Sequence, residues 1–207
     1  MKTAYFSKTN FYITAILIVP VIIFGFVRQM EKHESLPFYN IAKNLEAQEF
    51  HFQDQNKITK SFKELNGKIL LVDFFFTSCP VICPKMTRGL KTIASKFEKE
   101  PSIKLLSFSV DPIRDSSAKL LKYISKMNAS FPSWSFLTGD KKAIYKLARK
   151  EFFVTATDGD GGPEDFIHTD KIILLDINKN IRGYYDGTSP TEINQLIKDI
   201  KKLQHES

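Results

Sequence analysis

The sequence predicts an α/β fold, a central mixed β-sheet flanked by helices, behind one N-terminal transmembrane helix. Three observations predict it. Short β-branched or aromatic runs, foremost 69–76 (ILLVDFFF) and 103–110 (IKLLSFSV), read as buried strands. Stretches with apolar residues at helical spacing separate them, as in Met86, Leu90, Ile93, Ala94 and Phe97. Near the C-terminus two strands flank the turn Asn178-Lys179-Asn180 and a helix follows, which adds an antiparallel hairpin to an alternating chain.

The first element is 11–27 (FYITAILIVPVIIFGFV), a run without charge. It stands at the ~17-residue lower limit for a spanning helix. Lys2 and Lys8 precede it, Arg28 follows, and no small-x-small cleavage site lies near its end. The expectation is an uncleaved anchor at 11–27, a cytoplasmic tail at 1–10, a linker at 28–40 and one domain at 41–207. Basic residues flank both ends, so charge alone does not orient the anchor. A short N-terminal tail most simply stays in the cytoplasm while the long domain is translocated. No Arg/Ser-rich transit peptide precedes the run, which points to a bacterial inner membrane with the domain in the periplasm.

The polar stretch 29–47 reads as linker or stalk, and the alternating 50–54 (FHFQD) as a strand. A turn at 55–57 and the segment 58–65 lead to Asn66-Gly67 and the central strand 69–76. A helix is expected from Pro84 to about Glu100, then the strand 103–110, the segment Asp111-Pro112-Ile113-Arg114-Asp115, and a helix over 116–128. A short strand at 134–137 ends in Thr138-Gly139-Asp140, where Asp140 would cap a helix reaching about Lys150. A strand at 152–156, a glycine-rich loop at 157–165, strands at 171–176 and 181–185, and a helix opened by Thr188-Ser189-Pro190 complete the chain. This order is that of a thioredoxin-like sandwich.

Composition bounds the function. With 207 residues, 43 % hydrophobic and 26 % charged, the chain can bury a real core, and 18 phenylalanines make that core aromatic. The net charge is +7, with a denser cluster at Lys141, Lys142, Lys146, Arg149 and Lys150. Ala143, Ile144, Leu147 and Ala148 supply an apolar side at helical spacing, so the cluster reads as a solvated helix face. No zinc-finger or RNA-binding signature accompanies it, which argues against a nucleic-acid partner. The charge still favours acidic proteins or anionic lipid. The only two cysteines, Cys79 and Cys83, share one loop, which argues for a site rather than a disulfide framework.

That loop is Thr77-Ser78-Cys79-Pro80-Val81-Ile82-Cys83-Pro84. A residue before proline is pushed out of the helical region, which applies to Cys79 and Cys83. The helix then starts near Pro84, with Cys83 at its mouth, where the positive end of the dipole favours thiolate. Three residues separate the cysteines, one more than in Cys-x-x-Cys redox motifs. Two thiolates on one small metal ion sit about 4 Å apart, from metal–sulfur bonds of ~2.3 Å. A disulfide needs about 2 Å. The spacing suggests metal and permits redox.

The loop resembles the Cys-Pro-x-x-Cys-Pro site of the Sco/SenC family of copper chaperones. Asp111-Pro112-Ile113-Arg114-Asp115 is similar to that family's Asp-Pro-x-Arg-Asp segment, and His168, before Thr169 and a strand, to its single metal-binding histidine. The resemblance implies a thioredoxin-like fold, and one copper ion held by Cys79, Cys83 and His168. It also implies a role in building the binuclear copper centre of cytochrome c oxidase subunit II or another copper-accepting protein, by delivering copper, by reducing cysteines, or both. Two soft sulfurs and one imidazole suit Cu(I), while Cu(II) would take a fourth donor such as water or a carboxylate. Val81 stands where the family often has an acid, and Ile167 where it often has aspartate before the histidine, with Asp165 and Asp170 close by but shifted.

Blander readings stand beside these. The cysteines could be structural, and His168 taken by itself is a loop histidine. His33, His51 and His205 are read as non-ligands, Met86 and Met127 as core, and Phe74–Phe76 as core. Asp111, Arg114 and Asp115 read as a helix-start and ion-pair network. No nucleophile–histidine–acid arrangement suggests a hydrolase. The alternative function is a periplasmic thiol–disulfide oxidoreductase without copper. A peroxiredoxin-like peroxidase is a third.

Overall fold

The computed structural model of the chain describes residues 8–31, 36–41, 52–154 and 169–206. These fall into two units, Met1–Ser35 and Leu36–Ser207. In the first, α1 (Lys8–Glu31) covers the uncharged run, with Pro20 inside it. Its apolar side chains Ile16–Ile18 and Val21–Phe24 are exposed. Among the described residues no helix is long and apolar enough to cross a membrane.

The second unit contains, in chain order, β1 (Asn40–Ile41), β2 (Phe52–Asp54), β3 (Thr59–Lys60), a 3-10 turn (Phe62–Leu65) and β4 (Ile69–Phe75). There follow α2 (Ile82–Lys96), β5 (Ile103–Ser109), α3 (Ser117–Met127), β6 (Trp134–Thr138) and α4 (Lys141–Lys146), which runs on as a π turn, Leu147–Glu151. The hairpin β7 (Lys171–Leu175) and β8 (Asn180–Asp186) and the helix α5 (Pro190–Glu206) close the chain. The sheet is mixed, in the order β1-β8-β7-β4-β5-β6-β2-β3. β4 pairs in parallel with β5, and β5 with β6, whereas β7 is antiparallel to both β4 and β8.

All seven residues of β4 are buried, because both faces of the central strand are covered. Alternate residues serve alternate faces. Ile69, Leu71 and Phe75 join Leu90, Ile93, Leu120, Leu196 and Ile200, under α2, α3 and α5. Leu70, Val72 and Phe74 join Phe62, Phe108, Ile144, Tyr145 and Phe152 on the other side. The second cluster is strongly aromatic: Phe74 and Phe108 stack with ring centroids 5.7 Å apart, and Phe52 meets Phe108 edge-on at 4.9 Å. Each such side chain contributes roughly 1.5–3 kcal/mol by leaving water.

The predicted alternation of elements is therefore present, with local differences. α2 begins at Ile82, two residues before the expected start at Pro84, and ends at Lys96. Pro84 still lies in the first turn, where a missing N–H costs nothing. No strand runs through the described part of the expected strand at 152–156. The π turn of α4 reaches Glu151, Phe152 is buried at its end, and Phe153 takes a left-handed φ of 53°. Within the stretch read as linker, β1 pairs with β8 through Asn40 and Ile181. Gly67 makes the turn before β4 with φ +68°, a conformation other side chains seldom adopt.

Candidate metal centre

β4 delivers the chain into the cysteine loop, and α2 takes it away. Because α2 starts at Ile82, Cys83 falls in its first turn and faces the core, only 4 % exposed. Cys79 lies in the preceding turn, tied by its own N–H to the carbonyl of Phe76 at 3.2 Å, and is half-buried. The two thiols are unbonded, and the Cys83 N–H donates to Cys79 Sγ at 3.4 Å. The helix has no other cap: Val81 occupies the N-cap position and offers no side-chain acceptor. A sulfur thus does what an oxygen usually does at a helix start.

This overturns the expected charge assignment. Burial pushes the Cys83 thiol up to about 12, and the neighbouring Cys79 and Asp73 push the same way. Burial also raises Cys79, but backbone N–H groups of Cys83, Val81 and Ile82 aim at its sulfur and bring it below the ordinary thiol value. The ready thiolate is Cys79. The sequence reading placed Cys83 at the helix mouth, and the two-residue shift of α2 moved that mouth to Cys79.

The next corner of the sheet holds the loop in place. Asp115 is fully buried. Its carboxylate accepts the Thr77 N–H at 2.9 Å, the Thr77 hydroxyl at 2.6 Å and the Ser109 hydroxyl at 2.7 Å. Lys119 lies 3.5 Å away, and Arg114 reaches Asp111 at 3.4 Å. The network expected of Asp111, Arg114 and Asp115 is present, with Asp115 as its centre. On α2, the Thr87 hydroxyl donates to the Cys83 carbonyl at 2.8 Å and lies 2.7 Å from the Tyr123 hydroxyl.

Sequence reasoning missed Asp73. It sits in the middle of β4, buried, accepting from the Ser107 hydroxyl, which in turn accepts the Trp134 indole N–H at 2.8 Å. Burial outweighs that hydrogen bond and raises its carboxyl to about 7. The available signal was a lone acid inside an otherwise apolar strand.

A cavity of about 550 Å³ opens over the thiols, walled by Phe74, Phe76, Val81, Ile82 and Val110. Thr169 and Asp170 also line it. They arrive there because β7 runs antiparallel to β4, so the start of β7 lies beside the end of β4. The predicted third ligand, His168, is outside the described residues, as are His33 and His51. His205 is in the last turn of α5. Met86 is fully buried and Met127 packs on the core, as expected of both. Among the described residues no group of three metal-ligating side chains converges. Two thiols on one loop are soft donors of the kind Cu(I) prefers.

The SCO1/SenC family profile matches residues 40–205. The SCO1 protein homolog of Bacillus subtilis (strain 168) is 32 % identical over 160 residues, 76 % of this chain and 82 % of that protein. The structure of BsSco, described as a Sco family cytochrome c oxidase assembly protein with a disulfide switch, superposes with a TM-score of 0.68 at 29 % identity, covering 84 % of this chain and 98 % of that one. Bradyrhizobium japonicum ScoI, solved with copper bound, superposes with a TM-score of 0.60 at 26 % identity, covering 74 % and 96 %.

Proposed function

The chain belongs to the SCO1/SenC family, and we propose that it carries one copper ion on Cys79, Cys83 and His168 as cargo for the binuclear copper centre of cytochrome c oxidase subunit II or another copper-accepting protein. The observation that carries this reading is the cavity over the thiols. Cys79 and Cys83 form one side of it and Thr169, next to His168 in sequence, another. Copper bound to relatives of the same fold supports it. Within this reading, Cys79 supplies a thiolate poised by backbone N–H groups. Cys83 gives up its proton only to the metal, so loading releases protons and strengthens as pH rises. The uncharged run at 11–27 would anchor the chain in a bacterial inner membrane with the domain in the periplasm. Carbonate extraction of membranes tests that: release into the soluble fraction would remove the anchor.

The deciding experiment reduces the full-length protein in neutral detergent, offers Cu(I) anaerobically and counts copper after gel filtration against a competing chelator. One copper per chain, lost in Cys79→Ser, Cys83→Ser and His168→Ala, is the expected result. Stoichiometric copper retained by His168→Ala would sink the three-ligand set. A second reading, thiol–disulfide exchange, is favoured by the asymmetry of the thiols: an accessible thiolate beside a buried thiol. Cys79 would attack a partner disulfide and displace one partner thiolate. Cys83 would then attack Cys79, lose its proton and release the second, so the partner gains the two electrons this pair loses. That activity needs both cysteines and not His168.

A further inference from the structure

We propose that the surface of α2 beside the thiols docks an acidic peptide segment with an apolar residue next to its acids, presented by the protein that exchanges copper or electrons with Cys79 and Cys83. What that partner does rests on the function proposed above; how it is held does not. Two features of α2 support it independently.

The first is a second cavity, of about 360 Å³, between α2 and the start of α5. Lys85, Arg88 and Thr92 form one wall, Thr188, Ser189 and Asn194 the other, and no carboxylate lines it. Lys85 and Arg88 lie three residues apart, on one face of the helix. Both are exposed, and neither has an ion-pair partner among the described residues. Cations of the neighbouring elements are already paired. Arg114 lies on Asp111, Lys119 on Asp115 and Lys171 on Asp170. At the adjoining turn, Asp186 accepts from Thr188, and Glu192 accepts the Asp186 N–H. The floor is fixed: a Cβ on Gly89 would meet Ile193 Cδ1 at 2.8 Å and the Gly187 carbonyl at 2.9 Å, so α2 and α5 touch there. The two charges therefore stand on a rigid element and line a concave site of mixed polar and apolar surface, with room for carboxylate side chains.

The second feature is apolar. Val81 and Ile82, at the head of the same helix, are 52 % and 42 % exposed, and Ile113 of the neighbouring corner is 82 % exposed. Val81 and Ile82 border the thiol cavity. An apolar centre with unpaired charge at its rim is the anatomy of a transient protein interface. Lys85 is two residues beyond Cys83, so a partner whose acids reach Lys85 and Arg88 brings its neighbouring residues onto Val81 and the sulfurs. A concave site on α2, with Lys85 one helical turn from Val81, suits a peptide better than a flat lipid surface.

The test uses full-length protein in neutral detergent and two fluorescent 16-residue peptides. One has four Glu beside a Leu-Leu pair; the other has Gln in place of every Glu. Anisotropy should show tighter binding of the acidic peptide, weakening with salt. The double variant K85E/R88E should weaken it about tenfold at low ionic strength. K142E/K146E, on the opposite face of the sheet, should change it less than twofold, and V81S should weaken both peptides alike. Equal losses in the two double variants would mean that net charge alone attracts the peptide, and the proposal would fall. It would also fall if K85E/R88E spared the peptide but abolished flotation with phosphatidylglycerol vesicles, which would make this a lipid-facing surface. Copper counts on the unsubstituted protein keep the two readings apart: if it binds no copper and still selects the acidic peptide, the docking site stands and the cargo falls.

Discussion

Two strand-to-helix corners stand side by side on this sheet, β4 into α2 and β5 into α3. They solve one problem in opposite ways. Each must turn the chain sharply from a strand into a helix and hold the turn in place. The β5–α3 corner holds its turn with a buried carboxylate, Asp115, spent on Thr77, Ser109 and Lys119, while α3 itself starts after Ser116 without a side-chain cap. The β4–α2 corner has no carboxylate at all. Its cap is the sulfur of Cys79, its N-cap residue is an exposed valine, and Pro84 removes one of the donors a cap would use. Sulfur is a weak acceptor, so those N–H groups stay available to a charged thiolate. The difference teaches that rigidity at one corner lets the other remain reactive: Asp115 holds Thr77, and Thr77 starts the loop that Cys79 ends.

The largest test removes the rigid corner. Asp115→Ala leaves the buried Ser109 hydroxyl and both Thr77 donors unpaired, at a cost of ~3–5 kcal/mol. Urea unfolding should show it, and a loss under 1 kcal/mol would mean the corners are not coupled as described. Next comes Asp73, beneath the reactive corner. Its folded carboxyl is raised to about 7 from 3.8, so the native state holds that proton more tightly than the unfolded chain does. The resulting stability is fully present below about pH 4 and is lost as pH rises through about 7. Asp73→Asn should flatten that part of the pH profile and gain on the order of a few kcal/mol relative to the parent between pH 4 and pH 8. Parallel profiles for both proteins would refute the raised carboxyl.

Reactivity comes third. At neutral pH iodoacetamide should label Cys79 more than about a hundredfold faster than Cys83, since only the thiolate reacts. Peptide mapping of partly labelled protein reads the ratio, and equal labelling would erase the asymmetry. The smallest test makes the reactive corner resemble its neighbour. In Val81→Asp an oxygen competes for the Cys83 N–H and a negative charge approaches the sulfur. Cys79 alkylation at pH 7 should slow by roughly threefold, with a stability change within about 1 kcal/mol. Unchanged alkylation would mean the sulfur is not held by those N–H groups.

Much of this was legible in the sequence. The run at 69–76 announced β4, and Met86, Leu90, Ile93, Ala94 and Phe97 announced the buried face of α2, all five of them in the core. The cysteine pair and the Asp111–Asp115 segment marked the two corners before their contacts were known. What stayed hidden depended on tertiary burial or on a shift of one or two residues. Cys83 looked like the thiolate because a helix start at Pro84 would expose it. Starting at Ile82 turns it inward, and desolvation then decides its charge. Asp73 was passed over because no local pattern says that its partner will be Ser107 on the adjacent strand. β1 is too short to have a period, and it exists because Arg182 and β8 receive it. His168 was found by resemblance alone.

The pairing of β1 with β8 bears on the order in which the fold is completed. Asn40 leaves a ribosome long before Ile181, its partner across the sheet. Leu36 is fastened by Arg182 and Glu206, later still. The outer edge of the sheet therefore cannot close until nearly the whole domain has been synthesised, and joining residues so far apart in sequence makes it a late event in folding. Until then β8 keeps a bare edge, and the domain is finished by a return to its own beginning.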